Sequence, residues 1–296
     1  MEIGDWPATA ELNGVLRQAR TLGLESNLLE LEAYGFTVVE PEKLDAGGLP
    51  ERLLRASVRL CEQAEASGRR KSAPAGANAD YSRILYSTIM QDEVFAEGLM
   101  HPVTLTIARY LLGASCRAFT TASFVKRGKA TSTPIHIDTA GAPPPLYPFG
   151  QILNISWILT DYTEAAGTFG IVPGSHRYCR HPLPSELPKV MGGSAEDNCI
   201  PVEAKAGSLI VFGGNTWHGT YPKTTPELRA HAVFAFCRNY MLPAENFDDV
   251  PPALFDRYGP ELANLLGRNA WQGYKTEGPE GAKIAAVARA QFAPSA

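Results

Sequence analysis

Three residues in this chain have types and spacing suited to holding a metal ion. His136-Ile137-Asp138 lies in a short run of β-forming residues, and His218 follows in the segment GGNTWHGT. Side chains two apart on a strand point to the same face, so His136 and Asp138 can address one ion together. Two imidazoles and one carboxylate make the three-ligand face used for non-haem Fe(II), with the opposite coordination positions open. By itself the H-x-D pair is a weak signal: six histidines and 31 acids in 296 residues give about 0.6 such pairs by chance. Arg229 adds to it. It stands eleven residues after His218, at the start of the run RAHAVFAFCRNY, and its planar guanidinium is a two-pronged clamp for a carboxylate.

The elements around these residues fall into three zones. From residue 8 to about 113 the pattern is mostly helical: Glu11–Ala33 reads as one helix closed by Gly35, Pro50–Ser67 as a second, and Asp92–Leu112 as a third that Pro102 interrupts. FTVVE (36–40) reads as a strand and 69–80 as a loop. From about 115 to 241, short β-rich runs alternate with Gly/Pro turns, which predicts a sandwich or barrel. Within 152–160, Leu153, Ile155, Trp157 and Leu159 form a wholly apolar face. Ile152, Asn154, Ser156 and Thr160 form a mixed one, as expected of a barrel strand with a site inside and helices outside. The last zone, 242–296, predicts short helices near 252–267 and 280–291.

Taken in order, HID, NISWILTDYTEAAGT, VPGSH, AGSLIVFGGNTWHGT and then Arg229 resemble the phytanoyl-CoA 2-hydroxylase-like group of Fe(II)/2-oxoglutarate-dependent dioxygenases. The resemblance is strong over about 115–241 and only general in the helical zone. It implies a mainly β fold with flanking helices, the double-stranded β-helix (jelly roll, cupin-like), with the metal at its mouth. It implies Fe(II), the co-substrate 2-oxoglutarate and O2 as cofactors, and oxidation of a C–H bond with release of succinate and CO2. Carried over residue by residue, His136, Asp138 and His218 correspond to the metal ligands and catalytic centre. Arg229 corresponds to the clamp on the distal carboxylate of 2-oxoglutarate, and Thr220 to the hydroxyl beside it. Asn154, Thr133 and Lys126 are further candidates for binding the co-substrate. In related halogenases the carboxylate is Gly or Ala; Asp138 therefore favours hydroxylation, or desaturation, epoxidation or ring closure. A catalytically silent barrel that binds a small ligand is the competing expectation.

Other features narrow the class. Hydrophobic residues are 45% of the chain, which supports a sizeable core. The net charge of -4 provides no global basic field for nucleic acid. Five cysteines without C-x-x-C argue against a disulfide framework or a cysteine zinc site and for a reducing cytoplasm. No G-x-G-x-x-G or P-loop occurs. MEIGDWPATAEL lacks the apolar run of a signal peptide, and no 18-residue apolar stretch suggests a membrane span. The segment TAGAPPPLYPFG after Asp138 is expected over the mouth of the site, with Tyr147 and Phe149 touching a small, largely uncharged or amphipathic substrate. Residues 69–82, Trp271 and Tyr274 are candidates for the rest of a lid. His176 is expected to stabilise a turn, His231 to be a hydrogen-bonded core histidine, and His101 and His181 to lie at the surface. The 296 residues are expected to form one decorated catalytic domain, monomeric or homodimeric: 1–113 a helical decoration, 115–241 the β core and 242–296 a helical C-terminal segment.

Overall fold

A computed structural model describes residues 7–67, 81–138, 141–196, 198–268 and 274–282. Helices α1 (Pro7–Thr21) and α2 (Glu25–Tyr34) replace the single helix expected from the apolar spacing. Gly23 takes φ +66°, and Leu24 donates back to the Ala19 carbonyl, ending α1 three residues before α2 begins. Strand β1 (Phe36–Val39) and helix α3 (Leu49–Ala66) follow. An unforeseen strand, β2 (Tyr81–Leu85), comes before two short helices, α4 (Val94–Leu99) and α5 (Pro102–Leu112). Pro102 occupies the first turn of α5, where its missing N–H costs nothing. His101 caps that helix: its Nδ1 accepts from Val103 N at 3.3 Å, and its ring meets Trp157 edge-on at 5.0 Å. It is therefore a half-buried cap and not the surface residue expected.

The β zone supplies β3 (Arg117–Arg127), β4 (Thr133–His136), β5 (Ile152–Ile158), β6 (Phe169–Ile171), β7 (Ile200–Val202), β8 (Leu209–Gly213), β9 (His218–Thr220) and β10 (Arg229–Cys237). They form two antiparallel sheets. The larger has the order β1-β8-β5-β10-β3-β2 and the smaller β4-β9-β6-β7. Helix α6 (Pro252–Leu265) matches the helix expected near 252–267, bent where Gly259 precedes Pro260, and the hairpin β11 (Tyr274–Lys275) with β12 (Gly278–Pro279) follows.

Each strand of the large sheet separates two environments. The outward side chains Leu153, Ile155, Trp157, Phe234 and Phe236 join Leu53, Leu60, Phe95, Leu99 and Ile107 of the helices in one buried core. Trp157 is fully buried and its indole N–H donates to Thr104 at 3.3 Å. The inward side chains face the small sheet across a cavity of about 580 Å3. The alternation expected for 152–160 is thus the boundary between core and cavity. Trp217 is packing: it is buried, and its indole N–H donates to the Arg180 carbonyl at 3.0 Å. His176 is held at its turn, with Nε2 3.2 Å from the Glu32 carbonyl.

Candidate metal centre

Antiparallel pairing of β4 with β9 sets His136 opposite His218 and Thr133 opposite Thr220, with an irregularity between the two pairs. Asp138 follows β4, and its N–H donates to the Gly214 carbonyl at 2.7 Å, which keeps the segment against the turn before β9. One carboxylate oxygen of Asp138 lies 3.6 Å from His136 Nε2 and the other 3.3 Å from His218 Nε2. One donor atom from each of the three residues lies within 4.8 Å of the others.

Neighbouring groups fix how these donors face. His136 Nδ1 is 2.8 Å from the Pro134 carbonyl and His218 Nδ1 is 2.8 Å from the Thr216 carbonyl. A carbonyl only accepts, so each Nδ1 carries a proton and each Nε2 is left to face Asp138, as a donor while the imidazole is charged and as a free lone pair for a metal once it is neutral. Asn154 reaches from β5 and donates to Asp138 at 2.7 Å. Burial opposes ionisation of Asp138, but the charge of His218, its hydrogen bond, His136 and Asn154 outweigh it and hold the carboxyl down at about 2. Burial and the neighbouring His218 push His136 below its ordinary value. His218 is raised, because Asp138 overcomes the burial that would lower it.

The same cavity contains a second charged cluster. Arg229 begins β10 and is paired in register with Lys126 of β3; both are buried. Arg229 Nη1 donates to the Gly167 carbonyl, while its buried Nε has no acceptor among the described residues. Burial, and then the Arg229 charge, lower Lys126 to about 8. Among the described residues, Asp138 is the only acid lining the cavity. Two buried cations beside an orphaned N–H form a site that an anion would satisfy.

His231, two residues along β10, faces the same space, stacked on Phe124 at 4.7 Å. Its Nδ1 lies 2.5 Å from the hydroxyl of buried Tyr162. Burial pushes Tyr162 up to about 12, so it keeps its proton; burial, Arg229 and Lys126 push His231 well below its ordinary value, so the imidazole is neutral. The phenol donates to Nδ1, and the His231 proton is therefore on Nε2. Thr220 Oγ1 donates to Thr133 Oγ1 at 3.0 Å and accepts from Thr133 N at 3.0 Å.

The structure brings His136, Asp138, His218, Asn154, Thr133, Thr220, Lys126 and Arg229 to one cavity. It does not bring Tyr147 and Phe149 there. Both are exposed, their rings lie 5.5 Å apart, and Phe149 sits under Arg238 at 4.8 Å. Leu146 of that loop is buried, and its N–H donates to the Cys179 carbonyl at 2.8 Å and ties the loop to the outside of the barrel. Tyr274 is exposed in the C-terminal hairpin, outside the cavity wall. Trp271, with most of 69–82 and most of the helix expected at 280–291, lies outside the described residues. Sequence reasoning missed Ile84, Phe119, Val233 and Ala244 in the wall. For Val233 the signal was present, because it shares the parity of Arg229 and His231 along β10.

Residues 31–231, from α2 through His231, match the family model described as phytanoyl-CoA dioxygenase. The chain belongs to the phytanoyl-CoA dioxygenase family. The family resemblance seen in the motifs therefore holds, and places the chain among Fe(II)/2-oxoglutarate-dependent dioxygenases. Dioxygenase af480 of Aspergillus fumigatus is 25% identical over 250 residues, covering 83% of this chain and 77% of that protein. Among solved structures, the non-heme alpha ketoglutarate dependent epimerase SnoN from nogalamycin biosynthesis superposes with a TM-score of 0.56 at 21% identity, over 74% of this chain and 84% of SnoN. HygX from Streptomyces hygroscopicus, with nickel and 2-oxoglutarate bound, gives 0.57 at 16% identity, over 76% of this chain and 93% of HygX. At these identities the two structures speak for the fold, the jelly roll that the family resemblance implied. Among the described residues no helix is long and apolar enough to cross a membrane.

Proposed function

We propose that His136, Asp138 and His218 hold Fe(II), and that Arg229 and Lys126 bind the distal carboxylate of 2-oxoglutarate. In this reading the chain oxidises a C–H bond of a small, largely uncharged or amphipathic metabolite. One observation carries it. A cluster of two imidazole donors and one carboxylate shares a cavity with two buried cations that have no acid partner among the described residues. The donor set suits Fe(II), and the orphaned Arg229 Nε suits a carboxylate. When bound, iron with 2-oxoglutarate and O2 supplies the oxidising chemistry, with succinate and CO2 as co-products.

The chain's own residues orient and shield that chemistry. Pro134 and Thr216 carbonyls fix both imidazoles, and Asn154 holds the carboxylate, so the three ligands are set before a metal arrives. His231, with its proton on Nε2, adds a neutral donor beside Lys126 and Arg229; Tyr162 fixes that tautomer. The Thr133–Thr220 hydroxyl pair flanks the same end. Phe124, Phe169 and Phe212 exclude water from the space between.

Asp138 fills the third ligand position, which favours hydroxylation, desaturation, epoxidation or ring closure; the epimerase neighbour extends the range to stereochemical inversion. We place all 296 residues in one catalytic domain, because the helices and the large sheet share one core. Five cysteines without a disulfide support a reducing, cytoplasmic setting. The test is a screen of uncharged and amphipathic small molecules for substrate-dependent succinate release with added Fe(II) and 2-oxoglutarate. Release that depends on a neutral compound supports the proposal, and a protein that binds such compounds without releasing succinate contradicts it.

A further inference from the structure

Past the metal ligands the cavity opens into a limb walled by Ile84, Tyr86, Phe119, Ala122, Val233 and Ala244. None of these residues is an acid or a base; the polar side-chain atoms beside them are the Tyr86 hydroxyl and that of Thr120, which is turned to Glu245.

Phe119 reaches this wall against the alternation of its strand. Thr120, Ala122, Phe124 and Lys126 of β3 all line the cavity, so strict alternation would send residue 119 outward. The pairing with β10 slips here: Thr120 is opposite Ala235, but the next pair is Ala118 with Phe236. Phe119 is the extra residue of a β-bulge, a device that re-aims a side chain. Ala118 and Phe236 lie in the core under the helices, which confirms the change of parity.

A buried carboxylate holds the bulge. Glu245 accepts from Ser87 N at 2.8 Å, Thr120 Oγ1 at 2.6 Å, Thr121 N at 2.9 Å and Thr121 Oγ1 at 3.1 Å. Ala244 N donates to the Phe119 carbonyl itself at 2.9 Å. The turn after β2, the bulge and the chain after β10 are thus tied at one point, the end of the limb.

We propose that this limb is the substrate subsite, that it takes an uncharged apolar ring or chain segment packed on Phe119, and that Glu245 is the positioning residue that aims Phe119. Among the described residues a phosphate or carboxylate buried there would meet no cation, because Lys126 and Arg229 lie at the other end of β10 and β3 and are committed to the co-substrate. The assignment of substrate class rests on the iron-dependent reading above, but the limb is a property of the protein alone.

The probe is prodan, an uncharged naphthalene ketone whose emission shifts on leaving water. It is titrated into the protein alone and into protein with Fe(II) and 2-oxoglutarate under nitrogen. We expect saturable binding in both, displaced by 2-naphthol at least tenfold more effectively than by 2-naphthoate in the loaded protein. Ala122→Trp and, separately, Val233→Phe fill the limb and should each weaken prodan at least tenfold while the Fe(II)–2-oxoglutarate absorption persists. Glu245→Gln should weaken prodan several-fold in the native background and add nothing when Phe119 is already Ala, a non-additivity that general destabilisation would not produce. The proposal is overturned if prodan fails to bind, if both filling variants fold and bind it unchanged, or if naphthoate competes as well as naphthol. Prodan binding without the absorption band would uphold the limb and overturn the iron reading instead.

Discussion

Arg229 and Lys126 carry opposite lessons about what single residues reveal. Arg229 was legible because its distance from His218 belongs to a family motif. Lys126 was a weaker candidate, since nothing in the sequence shows that β3 will set it beside Arg229. Together they make a site that is costly when empty and favourable with a dianion in place. Arg229→Ala should therefore weaken 2-oxoglutarate by about 2–5 kcal/mol, much of it the cost of an unpaired buried charge, and leave iron affinity nearly unchanged. Separate titrations of metal and co-substrate check this, and equal losses in both would contradict it.

Lys126 gives the pH dependence. Its folded value of about 8 lies below the usual lysine range, so it releases its proton as pH rises through 8, while binding of a dianion favours the charged form. Co-substrate affinity should fall above pH 8, by up to about tenfold per pH unit, and Lys126→Met should remove that slope. A flat profile in the native protein would contradict the assignment. The same buried proton deficit has the opposite sign for folding: the unfolded chain holds more protons between pH 8 and the ordinary lysine value, so this residue's contribution to stability rises over that interval.

At the scale of elements, the pairing of β4 with β9 does most to make the metal centre, since it alone sets His136 opposite His218. Gly219 allows this pairing to be close: a Cβ there would stand 2.4 Å from the Thr133 carbonyl oxygen and 3.0 Å from Met191 Sδ. Backbone cannot yield as a flexible side chain can. Gly219→Ala should separate the strands and weaken metal binding at least tenfold, with a smaller effect on the unfolding temperature than on the metal site. Calorimetric metal titration against thermal unfolding separates the two, and native metal affinity in the variant would contradict the role given to this pair.

Elements also show where the sequence was legible and where it was not. The two faces of β5 could be read because a strand between a helical layer and a cavity must alternate in polarity. The break between α1 and α2 was hidden, since apolar spacing runs through Gly23 and only its positive φ ends the helix. The bulge at Phe119 was hidden for a related reason: one extra residue resets parity, and the signal for it, Glu245, lies 124 residues from the Thr121 amide it binds. Tyr147 and Phe149 misled because an aromatic, Pro-rich loop next to a ligand looks like a lid. The anchor that decides its direction is a backbone hydrogen bond from Leu146 to a distant turn, which no side-chain pattern records.

The whole molecule is organised by the large sheet, with helices on one side and the cavity on the other. Leu53 and Leu60 of α3, Phe95 and Leu99 of α4 and Ile107 of α5 share a core with Trp157 and Phe234 of the sheet. A helical layer joined in this way should not melt separately. Calorimetry of the full chain should give one cooperative transition, and two resolved transitions would contradict the single catalytic domain we propose. The charge distribution is consistent with the same division. A net charge of -4 on the chain surrounds a cavity whose cations are buried, so attraction for the co-substrate is local and needs no basic surface.

The measurement that bears most directly on the central claim is the visible spectrum of the protein mixed under nitrogen with Fe(II) and 2-oxoglutarate. A broad absorption band from the chelated co-substrate should appear only when both are present. It should vanish in His218→Ala, and in Arg229→Ala should require much more 2-oxoglutarate to develop. A native protein that binds both ligands and shows no band, or a band of full strength in His218→Ala, would contradict the assignment of His136, Asp138 and His218 as the iron site.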